Sequence, residues 1–291
     1  MTETQAKPDI GALKETARLL RKDIIEMTTK AGSGHPSSSF SAVEVITALY
    51  FGNILRHKPD EPKWPDRDRF VLSKGHAAPI LYAALGEQGY FPKEWFNHLR
   101  QIDAPLEGHP NVKRVPGVEA STGSLGQGLS IAVGMALAGH MDNKDYKVFC
   151  MTGDGEIDEG QIWEAAATGA KYYLPNLVWI IDKNGYQQTG STKEIMPMAP
   201  LAEKTRAFGW HTREINGNDI AECMDALAEA RAWHDGPYCL ISNTHKGYGV
   251  SFVEADFHYH GKALTNEEAV RALKELGWDE AAKQFENGKG S

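Results

Sequence analysis

The sequence predicts an α/β fold with a parallel sheet covered by helices on both faces. Short apolar runs alternate with stretches in which apolar residues recur every three or four positions, most regularly in the second half of the chain. The runs show little polar alternation, as expected of parallel strands buried on both sides. The composition of the 291 residues, 41% hydrophobic and 24% charged, is that of an ordinary globular protein.

The first part of the chain is predicted to be mainly helical. Apolar residues from Ile10 to Met27 follow three- and four-residue steps, which predicts an amphipathic helix that ends in a loop at "AGSGHPSSS". A second helix is expected at about 41–51, a buried strand at "DRFVLS" and a further helix at "GHAAPILYAALGEQGY". Residues 103–122 are rich in Pro and Gly and lack a period, so they predict a long loop of the kind that is often functional.

The remaining elements alternate regularly. "GQGLSIAVGMALAGHM" predicts a helix without a polar face, which belongs in a core or in a subunit interface. Strands are then predicted at "YKVFCMTG", "NLVWIID", "GWHTREI" and "PYCLISNT", with helices at 159–173 and 219–233 and one or two more at 266–285. We expect one domain at 9–286 between short tails at 1–8 and 287–291.

Charge and cysteine content narrow the functional classes. A net charge of −8 and a pI of about 5.8 argue against a general nucleic-acid or anionic-membrane binder, which needs clustered Lys and Arg. No apolar run approaches the roughly 20 residues that span a bilayer, and the N-terminus lacks the features of a signal peptide. Cys150, Cys223 and Cys239 are far apart and fit neither a disulfide framework nor a zinc site. We therefore expect a cytoplasmic protein.

The turn "TGDG" at 152–155 follows a predicted parallel strand, which is where the ligands of such sheets bind. Its glycines allow the backbone to approach a ligand closely, and the N-terminus of the next helix favours a phosphate. Asp154 alone would repel a phosphate, and this conflict disappears if a cation lies between them. Magnesium suits that position, because it binds one or two carboxylates together with phosphate oxygens and water.

A second ligand follows the next predicted strand, with 28 residues between Gly155 and Asn184. One strand–helix–strand unit covers that gap, so neighbouring parallel strands bring Asp154 and Asn184 side by side. The amide oxygen of Asn184 and a backbone carbonyl near Tyr186 complete the protein's share of an octahedral shell. A DG or an NG turn on its own is more often simply part of a loop. The occurrence of both at the ends of consecutive strands favours a metal–diphosphate site.

These residues resemble the thiamine-diphosphate-binding motif, and the surrounding motifs resemble the transketolase family in particular. In chain order they are "GSGHPSSS" at 32–39, "LSKGHAAP" at 72–79, "EGHP" at 107–110, "STGSLGQG" at 121–128, "GDGEIDEG" at 153–160, "DKNGY" at 182–186 and "HYHG" at 258–261. They occur in the family's order and span most of the chain. The resemblance implies the thiamine-diphosphate-binding fold of PP type, which holds the diphosphate of the cofactor.

The resemblance also implies roles for individual residues. The ligands of Mg²⁺, or of Ca²⁺ or Mn²⁺ in its place, would be Asp154, Asn184 and the carbonyl of Tyr186. The contacts to thiamine diphosphate would be His76, Gly123, Ser124, Leu125, Gly155, Asn184 and His260. The catalytic and substrate-binding histidines would be His35, His109 and His260, since histidine moves protons near neutral pH.

Two positions depart from the family's pattern, and two of the three acidic residues that follow the GDG turn have no family role. Residues 37–39 are serines where a small glycine-containing step is usual, and Ser124 stands where proline is common. Both departures bear on substrate preference rather than on the metal ligands. Glu159 matches a position near the contact between two cofactor-binding domains. For Glu156 and Asp158 we expect solvation.

Full transketolases are about twice as long as this chain, and their second half normally holds the pyrimidine-binding domain. The resemblance therefore implies the N-terminal subunit of a split transketolase, which is active only with a C-terminal partner subunit. This chain would form a dimer within an α2β2 heterotetramer. The reaction would transfer a two-carbon ketol unit from a ketose to an aldose, with sugar phosphates of the pentose phosphate pathway as the family default.

Two alternatives remain at this point. The first is the cofactor-binding chain of a 2-oxoacid dehydrogenase or decarboxylase, which shares the GDG turn but not the motif histidines. The second is a binding protein that keeps the fold without turnover, against which the intact metal ligands argue.

Overall fold

A computed structural model describes residues 8–286, so the predicted tails lie outside the described residues apart from Pro8. The strands are β1 (Arg69–Leu72), β2 (Val148–Gly153), β3 (Leu177–Lys183), β4 (Tyr186–Gln187), β5 (Gly190–Ser191), β6 (His211–Asn216) and β7 (Tyr238–Asn243). Within this part of the chain, a parallel sheet has the order β1-β2-β3-β7-β6, and β4 and β5 form a separate antiparallel ribbon. The predicted parallel sheet is confirmed.

Helices cover both faces of the sheet, as predicted. They are α1 (Ile10–Ala31), α2 (Pro36–Phe40), α3 (Val43–Phe51), α4 (Ala78–Glu87), α5 (Gln127–Met141), α6 (Gly160–Lys171), α7 (Thr192–Ile195), α8 (Leu201–Ala207), α9 (Ile220–Ala232), α10 (Asn266–Glu275) and α11 (Asp279–Glu286). Phe149 and Met151 of β2 point into a core formed with α1, α3, α4 and α9. Cys150, between them, points into a second core formed with α5, α6 and α8. None of the helices described is long and apolar enough to cross a bilayer.

Local sequence signals fix the helix ends. Asp9 caps α1 by accepting a hydrogen bond from the Gly11 amide at 2.9 Å, and α1 ends where Gly32 takes a left-handed φ of 58°. The predicted loop after α1 is shorter than expected, because Pro36 opens α2 and proline suits the first turn of a helix. The predicted loop at 103–122 contains no helix or strand. Helices α7 and α8 lie on either side of the Pro- and Met-rich run 196–200, in a segment for which no helix is predicted.

Helix α5 is only half buried by its own chain. One face packs on β2 and α6, whereas Ile131 and Met141 are 36% and 72% exposed. Of the two locations predicted for this helix, the core of its own chain accounts for the first face only and leaves the second face exposed. Its apolar character still fits the other predicted location, a subunit interface.

Candidate active site

A cavity of about 420 Å³ lies at the C-terminal ends of β2 and β3. Its lining includes most of the site predicted from sequence, namely His35, His76, Gly123, Leu125, Asp154, Gly155, Glu159, Asn184, Tyr186 and His260. A larger cleft of about 680 Å³ lies between α1 and the start of α9, but none of the predicted site residues lines it. The structure thus brings the sequence motifs together around the smaller cavity.

The register of the sheet places the GDG turn against the end of β3. Gly153 pairs with Asp182, and the Asp154 carboxylate accepts hydrogen bonds from the amides of Gly185 at 2.7 Å and Gly155 at 3.1 Å. Asn184 orients its amide oxygen by accepting from the Tyr186 amide at 3.1 Å. Asp154 and Asn184 therefore share one edge of the sheet, as their spacing predicts.

The chemistry of these donors fits a hard divalent cation bound to a diphosphate. Asp154 is 5% exposed, and its burial, together with the nearby charge of Asp182, raises the pKa of the Asp154 carboxyl to about 6. A cation beside this carboxylate would offset the cost of burying its charge. Over residues 8–286, no three His, Cys, Asp or Glu side chains are grouped as metal ligands. A carboxylate, an amide oxygen and a carbonyl instead suit Mg²⁺ or Ca²⁺, which take further oxygens from phosphate and water.

Three histidines from distant parts of the chain meet in the cavity. The ring centroids of His35 and His76 are 5.2 Å apart, those of His35 and His260 are 5.5 Å apart, and those of His76 and His260 are 5.3 Å apart. Burial is the main cause that lowers the pKa of His35 to about 4, of His260 to about 3 and of His76 well below its ordinary value. All three imidazoles are therefore neutral at pH 7, able to donate from one nitrogen and accept at the other.

The predicted residues His109 and Ser124 do not line the cavity. His109 lies at its rim against Gly123, where a side-chain carbon on that glycine would come within 2.8 Å of the imidazole. Burial and the nearby Arg100 guanidinium lower the pKa of His109. Arg100 is held at this rim by donating to the Ser33 hydroxyl at 2.8 Å. Ser124 is exposed.

The cavity wall contains two buried lysines that the sequence analysis does not predict as site residues. Lys246 is 1% exposed, and its ammonium lies 2.7 Å from Nδ1 of His260. Burial and then the charge of Lys74 lower the pKa of Lys246 to about 8. Lys74 donates to Asp182 and to the Ser38 carbonyl at 2.8 Å. Both lysines look like solvated loop residues in sequence, because their burial depends on the packing of loops that are far apart along the chain.

Asp182 is the buried anchor of this wall. Its carboxylate accepts from Lys74, from the Ser41 hydroxyl at 2.7 Å and from the Thr244 hydroxyl at 2.6 Å. Burial acts to raise the pKa of Asp182, but Lys74 and these hydrogen bonds hold it below its usual range. The Asn184 amide also donates to Asp182 at 3.2 Å, so the anchor orients the predicted metal ligand.

The expectation that Glu156 is solvated is wrong. Glu156 is 2% exposed, and its carboxylate accepts from the Ser73 hydroxyl. It also accepts from the amides of Gly126 and Gly153, in both cases at 3.0 Å. The carboxylate thereby ties the end of β1, the start of α5 and the GDG turn together. Asp158 is also only partly exposed, and burial raises the pKa of its carboxyl. The two carboxylates are less exposed than expected because three chain segments converge on the turn.

Several buried polar atoms that line the cavity lack a hydrogen-bond partner within the described residues. Buried side-chain atoms that lack a hydrogen bond include His35 Nδ1, Ser38 Oγ, Asp158 Oδ1 and Gln187 Nε2. All four residues line the same cavity. An unsatisfied buried polar group costs about 1–3 kcal/mol, so native proteins rarely collect several at one place without a ligand to satisfy them. Such atoms fit a cofactor with a diphosphate and a polar ring.

Glu159 lies at the cavity mouth, where the GDG turn enters α6. It is exposed, and a side-chain carbon on Gly126 would come within 2.8 Å of the Glu159 Cβ. Glu159 therefore lies beside the N-terminus of α5.

Comparison with known proteins agrees with this geometry. A family model described as "Transketolase, thiamine diphosphate binding domain" matches residues 11–288. The chain is 44% identical to the 6-deoxy-6-sulfo-D-fructose transketolase subunit of Clostridium sp. (strain MSTE9), covering 91% of this chain and 96% of that protein. It is 42% identical to the transketolase of Homo sapiens, covering 94% of this chain and 44% of that protein. The transketolase structure from Campylobacter jejuni superposes with a TM-score of 0.89 at 30% identity, covering 96% of this chain and 46% of that chain.

Proposed function

Since the chain belongs to the transketolase family and forms its thiamine-diphosphate-binding domain, we propose that it is the N-terminal subunit of a two-chain transketolase. With a C-terminal partner subunit, it transfers a two-carbon ketol unit from a ketose to an aldose. A relative named as a subunit is matched over almost its whole length, whereas the chain spans less than half of single-chain transketolases. This difference in coverage supports the two-chain form.

One observation carries the proposal. A single cavity joins the oxygen donors Asp154 and Asn184 to the neutral histidines His35, His76 and His260. The donors suit a divalent cation on a diphosphate, and the histidines suit proton transfers on a polyhydroxylated substrate. A 2-oxoacid dehydrogenase or decarboxylase subunit would need the first group but not the second.

In this proposal, Mg²⁺ is held by Asp154, Asn184 and the carbonyl of Tyr186, and Gly155 receives the diphosphate. Thiamine diphosphate, when bound, supplies the electron sink for making and breaking the carbon–carbon bond. Ca²⁺ or Mn²⁺ can take the same oxygen donors.

The chain's own residues handle the protons of the sugar. His35 and His260 are neutral near pH 7. His35 can accept a hydroxyl proton at one nitrogen and return one from the other, whereas His260, whose Nδ1 accepts from Lys246, can donate its Nε2 proton to a substrate oxygen. Lys246 fixes the orientation of His260 through its contact with Nδ1. His109, which contacts Gly123 at the rim, would meet a hydroxyl of the incoming sugar before the sugar reaches the three inner rings.

Substrate and assembly follow from the same proposal. The substrates are a ketose donor and an aldose acceptor, with sugar phosphates of the pentose phosphate pathway as the family default. Two copies of this chain pair through the exposed face of α5 beside Glu159, and two partner chains complete a heterotetramer. The cytoplasmic location stays a prediction, which the three unpaired and buried cysteines support.

The test is turnover with and without the partner. The chain is purified alone and after co-expression with the product of the neighbouring gene, then assayed with thiamine diphosphate and Mg²⁺ in a coupled ketose–aldose assay. We expect negligible activity alone and robust activity in the complex. Equal turnover by the isolated chain would contradict the two-chain form, and an inactive complex would contradict transketolase activity on the sugars tested.

A further inference from the structure

Gln187 lines the cavity, but neither the sequence motifs nor the family resemblance assign it a role. It belongs to β4, where it pairs with Gly190 of β5. The base of this ribbon is closed by a hydrogen bond from the Thr192 amide to the Gly185 carbonyl at 3.0 Å. Its backbone is therefore held in place directly after Asn184 and Tyr186, and its side chain lines the cavity.

The amide nitrogen of Gln187 is enclosed but has no hydrogen-bond partner in the structure. A buried amide without a partner destabilises the folded chain, because both of its N–H groups have lost water. Leucine or methionine would fill the same space without that cost. The side chain is therefore better explained by a ligand than by packing.

The position of Gln187 indicates which part of a ligand its side chain would contact. A side-chain carbon built on Gly155 would lie 2.8 Å from Gln187 Cβ and 3.2 Å from its Oε1. The side chain thus lies directly against the GDG turn, on whose glycine the diphosphate is expected. Oε1 is thus the amide atom nearer the turn, and the nitrogen faces the turn after a half-turn of the amide about its last bond, which exchanges the two atoms without moving the ribbon.

We propose that the side-chain amide of Gln187 is a further diphosphate-binding group of this site, donating to a phosphate oxygen. The inference rests on the proposed function, since it assigns one more contact to the same cofactor. A neutral amide suits this place better than a lysine or a carboxylate. It donates to phosphate without repelling Mg²⁺, and it adds no negative charge beside Asp154.

The experiment titrates the full-length chain with pyrophosphate in the presence of Mg²⁺ by calorimetry. Gln187→Leu removes the donors with little change in size, and Gln187→Glu also adds a negative charge. Gln101→Leu, the same change at an exposed glutamine away from the cavity, is the matched control. We expect binding to weaken about tenfold to a hundredfold in Gln187→Leu, more in Gln187→Glu, and less than about twofold in the control.

A second readout separates ligand binding from folding. Gln187→Leu is expected to unfold at the same temperature as the wild type or higher, because it removes an unsatisfied buried amide. If the leucine variant does not fold, Gln187→Asn, which keeps the amide on a shorter stem, replaces it and is expected to bind at least about fivefold more weakly.

Wild-type affinity in Gln187→Leu, or in the asparagine variant where that is used, would overturn this inference. It would leave the proposed function standing, since that is judged by turnover of the two-chain complex. Failure of the wild-type chain to bind pyrophosphate with Mg²⁺ would overturn the inference as well.

Discussion

The ammonium of Lys246 lies 2.7 Å from Nδ1 of His260, inside the cavity wall. An ammonium can only donate, so His260 accepts at Nδ1 and carries its proton on Nε2. After burial, Lys246 is the second cause that lowers the pKa of His260 to about 3. The contact thus sets both the tautomer and the charge of a histidine that we expect to handle substrate protons.

Lys246→Met is expected to raise the pKa of His260 and to lower turnover of the complex about tenfold to a hundredfold through loss of the fixed tautomer. The pKa should stay below its ordinary value of about 6.5, because burial remains. An NMR titration of the imidazole measures the shift. Lys262→Met is the matched control, since Lys262 is exposed and contacts Glu268 at 3.3 Å. An unchanged titration of His260 in Lys246→Met would show that the lysine does not set its charge.

The low pKa of His260 also makes the stability of the folded chain depend on pH. The folded chain holds the imidazole neutral down to about pH 3, whereas the unfolded chain protonates it near its ordinary value of about 6.5. This histidine therefore favours the folded state above about pH 6.5, and that contribution is lost as the pH falls toward 3. Urea unfolding from pH 7 to pH 5 should show a smaller loss of stability in His260→Asn than in the wild type. Parallel slopes in the two proteins would mean that His260 is not buried in its neutral form.

Asp154 makes cofactor binding dependent on pH. Its carboxyl has a pKa of about 6, and only the ionised form can bind a cation. Calorimetry of the assembled complex with thiamine diphosphate and Mg²⁺ should show affinity falling as the pH drops below about 6, where Asp154 takes up a proton.

Asp154→Ala is expected to abolish Mg²⁺-dependent binding while leaving the fold intact. Unchanged affinity in this variant would mean that the ion is held elsewhere.

Glu156 is expected to matter for stability rather than for chemistry. Glu156→Gln replaces one carboxylate oxygen with an NH2 group, which then faces either the Gly153 amide or the Ser73 hydroxyl and the Gly126 amide, all of which donate to the carboxylate. The mismatch should cost about 1–3 kcal/mol in the free energy of unfolding, measured with urea. Glu164→Gln, on the exposed face of α6, makes the same change and should stay within about 0.5 kcal/mol. Equal stability of the two variants would rule out the bracing role of Glu156.

The residues of this site that lie in local sequence patterns are predictable from the sequence, whereas those that owe their position to tertiary packing are not. Asp154 and Asn184 could be paired because the length of one strand–helix–strand unit fixes which strand ends are neighbours. Lys74, Asp182 and Lys246 could not be assigned, since their burial arises where separate loops pack together. Glu156 was misjudged for the same reason. A carboxylate in a turn is normally solvated, and only the approach of α5 and the end of β1 buries it.

Helix α5 supplies the prediction about assembly. Its inner face is buried, but its outer face exposes Ile131, 36% exposed, and Met141, 72% exposed, with Glu159 beside its first turn. In a two-fold dimer the same patch meets its own copy, so each Ile131 would be covered by the partner's α5. We expect the isolated chain to sediment as a dimer at micromolar concentration. Glu159→Gln should be tolerated and should strengthen the dimer at high pH, because two carboxylates near the axis repel each other.

Ile131→Glu tests that surface directly. A charge buried between two apolar helices is unpaired, so the variant should sediment as a monomer while its secondary structure is retained. Ile102→Glu is the matched control, since Ile102 is 94% exposed on a loop away from α5 and should leave the dimer unchanged. A wild-type chain that is monomeric both alone and with its partner would contradict pairing through α5. A dimer that survives Ile131→Glu would place the contact on another face.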